Sequence, residues 1–424
     1  MSGRIRGRGG AIAVLVLLIV GLAVGSMATA TTIYVDENAA GENNGTSWED
    51  AYTNLQTALG APPASGDQIW VAQGVYYTGT TQTSSFTLKD GVALYGGYPT
   101  SGGTRDVANN VTVLSGDIGK DDTTNANGVT TTISGNNAYH VVKSSNNDSS
   151  AVLDGFTVTG GNANGGGTDD GGGGMFNYDS SPTVTGCTFS GNTANRYGGG
   201  MYNYYYYSPM VTNCTFSGNT ASFGGGMYNS LSSSPTVTNC TFSGNTAHYG
   251  GGMYNDSSSP TVTGCTFSGN TADYGGGMFN DYESSPTVTG CTFSGNTASL
   301  GGGMYNHSSS PTVRNTILWG DTASSGAEIY NSDTSSTPTV EHSVVEGGYT
   351  GGTNIITADP LLGTLGDYGG STETIPLLVG SSAIDSARTR PTRRRPTSAV
   401  YRGRRGRRLT LAHMSTNNCP PSGT

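Results

Sequence analysis

Basic residues are almost missing from the body of this 424-residue chain. Between Thr31 and Ala387 there are six of them (Lys89, Arg105, Lys120, Lys143, Arg196 and Arg314), against all 29 acidic residues. A surface with that balance repels nucleic acid and anionic membranes, so no nucleic-acid partner is expected. Long apolar runs are also missing after residue 30, which leaves no transmembrane segment in the mature chain. No Cys-x-x-Cys occurs, and the five histidines (His140, His248, His307, His342 and His413) are scattered rather than clustered at zinc spacing. Neither a metal site nor a cofactor is therefore expected. Finally, no apolar stripe of 3.6-residue period runs through the chain, which excludes a helical solenoid.

What is present begins with a leader. Arg4, Arg6 and Arg8 precede an apolar run from Ala11 to Val24, followed by Ala28, Thr29 and Ala30. Basic, apolar and small-residue segments in that order read as a secretory signal over residues 1–30, so a secreted or cell-surface location is expected. The other ten basic residues fall between Arg388 and Arg408, in a stretch without acids.

The body is periodic. Cys187, Cys214, Cys240, Cys265 and Cys291 recur every 25 to 27 residues within C-T-F-S-G-N-T-A, and G-G-G-M-[YF]-N keeps step at Met175, Met201, Met227, Met253, Met278 and Met304. A weaker copy runs from Gly326 to Asn331. Each unit contains short alternating pieces separated by Gly, Ser, Asn and Pro, which predicts strands and turns. Val184, Val211, Val237, Val262, Val288 and Val313 point inward from a first strand. A bend residue that is always Gly or Asn follows (Gly186, Asn213, Asn239, Gly264, Gly290, Asn315), these being the two types that best tolerate the left-handed region. Cys and Phe then alternate inward along a second strand, and Met inward with its aromatic neighbour outward along a third.

Three strands and three bends per unit make one triangular coil, and coils of one sense stack in parallel with right-handed crossovers. The predicted fold is all-β: a right-handed, single-stranded parallel β-helix, or solenoid, with a short N-terminal capping helix. At about 4.8 Å per coil, seven regular coils span roughly 34 Å around files of Val, Cys, Phe and Met. Asn192, Asn219, Asn245, Asn270 and Asn296 are placed to form an amide ladder.

The expected organisation is a cap over 31–75, irregular early coils over 76–150, regular coils over 151–347 and a closing module over 348–387. Within the cap, a strand covers Ile33 to Val35, and Ser47 with Asp50 suggests a capping box opening a helix over about 47–60. Trp48, Ala51, Leu55, Ala58 and Leu59 would share its buried face.

The pairing of F-x-x-N (Phe189/Asn192 through Phe293/Asn296) with G-G-x-[MI] resembles the repeats of chlamydial polymorphic outer membrane proteins and related bacterial β-helix proteins. That resemblance implies a surface or secreted passenger linked to adhesion, although the C-terminal membrane barrel of that family has no counterpart here. Asp359 to Gly363, Asp367 to Thr374 and Leu377 to Asp385 are similar to the choice-of-anchor module of bacterial surface proteins. The similarity stops at Ala387. Residues 396–416, back-translated and read one nucleotide out of phase, can restore the D-I-G-A ending of that module, so residues 388–424 are expected to be a frameshifted, disordered tail in which Cys419 has no role.

The repeat cysteines are five in number and side by side on parallel strands, a poor geometry for disulfides, so buried thiols are expected. An enzyme of this fold acting on polysaccharide, the pectate-lyase-like or polygalacturonase-like alternative, needs a base near carboxylates or two carboxylates facing a groove. Arg196, Arg314 and Lys143 show no acidic cluster at one-coil spacing, and the Asp169/Asp170 doublet lies in a Gly-rich insertion expected to be a solvated turn. No catalytic residue is assigned. The outward aromatic file (Phe176, Tyr202, Tyr228, Tyr254, Phe279, Tyr305, Tyr330) is the candidate contact surface, with Tyr202, Tyr228, Tyr254, Phe279 and Tyr305 as its core and Tyr204 to Tyr207 beside it. Aromatic faces stack on sugar rings; ladders of aromatics also simply stabilise stacked strands. The expected partner is an extracellular polysaccharide or a host or neighbouring cell surface, and the expected state is a monomer.

Overall fold

Short β-branched strands with no partner of their own must find one in the next repeat, and every repeat supplies the same three. The computed structural model describes residues 30–61 and 63–384. The signal sequence (but for Ala30), the last residues of the closing module and the Arg-rich tail with Cys419 lie outside the described residues.

The coils stack into three long parallel sheets. The first has eleven strands, from Thr32–Val35 to Thr339–Glu341. The second has ten, from Gly74–Tyr77 to Val344–Val345, and the third nine, from Phe86–Thr87 to Ile329–Asn331. Register sets the inward residues of the regular coils like on like: Val211 pairs with Val237, Phe216 with Phe242, and Met227 with Met253. The fold is the predicted parallel β-helix, whose parallel crossovers favour the right-handed winding. Between first and second sheets the chain turns on one residue. Asn213 and Asn239 sit at φ 54° and 52°, and Gly186 and Gly264 at 58° and 63°, so the left-handed region is used as expected.

Inside, the Val, Cys, Phe and Met files are fully buried. Phe189, Phe216, Phe242, Phe267 and Phe293 form one stack with ring centroids 4.5 to 4.9 Å apart and nearly parallel planes. The five cysteines are free. From Cys214 to Cys291, each Sγ accepts from the backbone N–H of the cysteine one coil before it, as in Cys214 N–H to Cys240 Sγ (3.4 Å), and burial pushes the Cys187, Cys240 and Cys291 thiols well above their usual range. The thiols act as small apolar fillers rather than nucleophiles. The third glycine of G-G-G is a packing requirement: a Cβ at Gly200 would lie 2.5 Å from the Gly226 carbonyl oxygen and 2.9 Å from the Phe216 ring.

Asn192 to Asn296 form the expected ladder. Asn219 Nδ2 donates to Asn245 Oδ1 (3.0 Å) and to the Phe189 carbonyl (2.9 Å), and the pattern repeats from coil to coil. A second ladder, not foreseen from the sequence, runs through Asn177, Asn203, Asn229, Asn255, Asn280, Asn306 and Asn331 inside the third sheet. The first ladder ends on Asp321, whose Oδ1 takes both the N–H and the Nδ2–H of Asn296 at 2.8 Å. In that coil Glu328 replaces the third glycine and Leu318 replaces the phenylalanine. Burial raises the pKa values of both Asp321 and Glu328 above the ordinary carboxyl range. Asp321 Oδ2 and Glu328 Oε2 have no other partner, so one proton held between the two carboxyls satisfies both.

The capping helix is shorter than the sequence suggests. It spans Leu55–Gly60 (α1), with Asn54 as N-cap accepting from Gln56 N–H (2.7 Å). Ser47 and Asp50 do contact each other, but Ser47 Oγ accepts the Asp50 N–H within an isolated turn. The following residues remain extended because Tyr52 pairs with Val35. Trp48 therefore leaves the helix face and packs on Tyr34 and Tyr98, while Leu55, Ala58 and Leu59 cover the first coil. Beyond the last coil the chain folds back outside the second sheet. Leu377 and Ala383 bury Ile317 and Val344 in a small second core, and Thr241 Oγ1 and Thr372 Oγ1 donate to the carbonyls of Glu373 and Asn239 across more than 130 residues.

Candidate binding groove

Residues one and three positions after each methionine of the third sheet point outward, since alternate residues share a face. The first of these is the aromatic file singled out from the sequence. It points outward as expected but is not exposed: Phe176, Tyr202, Tyr228, Tyr254 and Phe279 are each no more than 6% accessible. The cause is a second aromatic file, Tyr197, Phe223, Tyr249 and Tyr274, set at the preceding corner and packed edge-on or stacked against the first. The two files make a small apolar core outside the helix. Tyr305 is less deeply covered, and Tyr206 (70% accessible) and Tyr207 project beside the file.

A groove of about 530 Å³ runs over this core. Tyr228, Tyr254 and Phe279 form its floor; Phe223, Tyr249 and Tyr274 line one side, and Asp256, Asp281, Tyr282 and His307 the other. The acidic side comes from the residue three positions after methionine, a column of the coil that varies: Tyr178, Tyr204, Ser230, Asp256, Asp281, His307, Ser332.

Hydrogen bonds tie this column to the aromatic file diagonally. Tyr228 Oη donates to Asp256 Oδ2 (2.9 Å) and Tyr254 Oη to Asp281 Oδ2 (2.7 Å); Ser230 Oγ reaches Tyr202 Oη (3.4 Å), and Ser332 meets Tyr305. The file carries Phe, without a hydroxyl, at 176 and 279, where the next coil offers Tyr204 or His307 instead of Ser or Asp. Burial first, and then the adjacent carboxylate, pushes the Tyr228 and Tyr254 phenols far above their usual range, so they remain donors at any physiological pH. Asp281 is almost buried and fully engaged: Oδ1 accepts from Tyr282 N–H (3.0 Å) and meets His307 Nδ1 (2.6 Å). His307 Nε2 lies 3.9 Å from Asp333.

The remaining sequence candidates fall elsewhere. Asp169 and Asp170 are not a free turn: Asp169 meets the buried His140, and Asp170 lies 3.9 Å from Arg196. Arg314 pairs with Glu341 at 3.1 Å. These basic residues thus do face an acid one coil away, as single ion pairs. Stacking brings together residues 26 or 27 apart, which a local reading does not join. His140 stacks on Phe176 and Lys143 lies 5.9 Å over the same ring, closing the N-terminal end of the aromatic file. Among the described residues, one group of carboxylates is close enough to share an ion: Asp117, Asp121 and Asp122. Asp117 already accepts the backbone N–H groups of the other two, which closes its own turn. Among the described residues, too, no helix is long and apolar enough to cross a membrane.

The pattern of the family described as "Right handed beta helix region" matches residues 118–275 and 247–361, together more than half of the chain. The chain belongs to that family. A comparison with curated proteins gave no match. Among solved structures it is similar to a rhamnogalacturonan lyase, at 10% identity over 78% of this chain and 85% of that one with a TM-score of 0.41. It is also similar to the deglycosylated pectin methylesterase of Aspergillus niger, at 14% identity over 77% and 86% with a TM-score of 0.34. Neither likeness reaches a level at which the residues of a site can be transferred.

Proposed function

We propose that the chain is a non-enzymatic, secreted or cell-surface β-helix whose third sheet presents a groove for contact with an extracellular polysaccharide, in the manner of an adhesin. The observation that carries this reading is the groove itself, with an aromatic floor, polar side groups at each coil, and a length set by stacking. Sugar rings offer apolar C–H faces to aromatic rings and hydroxyls to carboxylates, and this surface supplies both. The leader over residues 1–30 and the resemblance to adhesion-linked surface repeats support the location. The helix α1 over the first coil, and Tyr349 and Ile355 packed against the core at its other end, support a monomer.

One observation favours the runner-up, a polysaccharide-active enzyme: Asp256 and Asp281 lie on neighbouring strands, whose spacing of about 4.8 Å is near that of a retaining carboxylate pair. Against it, both carboxylates already accept from tyrosine hydroxyls, and Asp281 is engaged on both oxygens, leaving it no free oxygen from which to pass a proton to a leaving group. Affinity electrophoresis of the purified protein through soluble polysaccharides, with parallel assays for unsaturated products and new reducing ends, separates the two. Retention without product is expected; product formation overturns the reading.

A further inference from the structure

Resting on that reading, we infer that the groove selects a positively charged glycan, a polymer of amino sugars with free, protonated amines, over neutral or uronate polymers. The carboxylates of the groove face no compensating Lys or Arg within it. The ionisable residues lining the groove, apart from its tyrosines, are Asp256, Asp281 and His307, with no Lys or Arg among them. Glu283 follows Tyr282 at the rim, and Asp333 lies within 3.9 Å of His307. The bases nearest the aromatic files, Lys143 and Arg196, stand at their N-terminal end beside Phe176 and Tyr197, and Arg196 is paired with Asp170. A uronate polymer laid along this surface would bring carboxylates against Asp256 and Asp281 within a body that carries almost no compensating base.

A protonated amine meets the opposite situation. The half-buried Asp256 can accept its N–H groups from the solvent side, above rings whose faces are covered by their neighbours in the file. The rise of about 4.8 Å per coil sets Asp256 and Asp281 one above the other, so a chain laid along the stack passes both. Carboxylates fixed by tyrosine donors also lose little freedom on binding, which sharpens discrimination by charge.

The test titrates the full-length mature protein with three oligosaccharides of equal length: glucosamine oligomers, their fully N-acetylated counterparts, and galacturonate oligomers. The inference predicts glucosamine oligomers bound at least about tenfold more tightly than N-acetylated ones, a preference lost at high salt, and no uronate binding. Asp256→Asn with Asp281→Asn should bring the two amino-sugar forms to equal affinity. The salt series on the unmodified protein decides the matter if that variant does not fold. Equal affinity for the acetylated oligomers, or tighter binding of uronate, overturns the charge preference and leaves the groove reading standing. Binding of none of the three overturns both.

Discussion

The two faces of the third sheet follow opposite rules. Its inner face repeats without variation: methionine and asparagine occupy the same places from Met175 and Asn177 to Met304 and Asn306, all of them buried. Its outer face keeps an aromatic file but changes the next column at nearly every coil, from tyrosine through serine and aspartate to histidine. Inner side chains touch copies of themselves, so a change in one coil must be matched by its neighbours above and below. Outer ones are free to differ, and the chain differs there in both chemistry and size. Sameness marks what holds the coils together; variation marks what the coils present.

That contrast can be broken or sharpened by substitution. The largest effect is expected from Phe242→Ala, which opens a gap between Phe216 and Phe267, each less than 5 Å away in the stack. A loss of about 3–5 kcal/mol in denaturant unfolding is predicted, and a cost below about 1 kcal/mol would mean that the interior file does not act as a continuous core. Asn245→Ala comes next. It removes the acceptor for Asn219 N–H and Nδ2–H and the donor to Asn270 and Phe216, leaving buried groups unpaired at about 1–3 kcal/mol each before relaxation. A melting temperature unchanged by this variant would show the ladder to be energetically idle.

A smaller effect concerns the end of that ladder. The Asp321/Glu328 pair has its pKa values raised on folding, so the folded state binds more protons than the unfolded one at neutral pH. Stability due to the pair is therefore complete below the ordinary carboxyl range and is lost as pH rises through neutrality. Unfolding curves from about pH 5 to about pH 9 should show a decline of about 1 kcal/mol or more, and Glu328→Gln should flatten it. A decline of the same slope in the variant would assign it to other groups.

Much of the fold was legible because a solenoid writes its contacts at a fixed interval. The period, the Gly or Asn at the bend, the inward Val, Cys, Phe and Met, and the ladder from Asn192 to Asn296 all follow from one repeat read with elementary geometry. What escaped were contacts not written at that interval. The Ser47 turn resembled a helix start because a turn and an N-cap use the same side-chain bond, and only the pairing of Tyr52 with Val35 decides between them. The burial of Tyr228 and Tyr254 depends on Phe223 and Tyr249, which the sequence places before the glycines at a different corner. The acidic column was visible in principle. Tyr202, Tyr228, Tyr254 and Tyr305 carry their hydroxyl where the residue 27 or 28 positions on is Ser or Asp, and Phe176 and Phe279 lack it where that residue is not. Asking which position breaks the repeat, rather than which keeps it, would have found the groove.

Serine already occupies the varying column at Ser230 and Ser332, where it partners a tyrosine hydroxyl. The chain thereby supplies its own control: Asp256→Ser, Asp281→Ser and His307→Ser together, measured for unfolding free energy and for polysaccharide retention beside Asn245→Ala. Stability within about 1 kcal/mol of the parent with retention abolished is predicted for the triple variant, and lowered stability for Asn245→Ala. A triple variant that unfolds as readily as Asn245→Ala, or that retains polysaccharide as the parent does, would contradict the division of labour between the two faces.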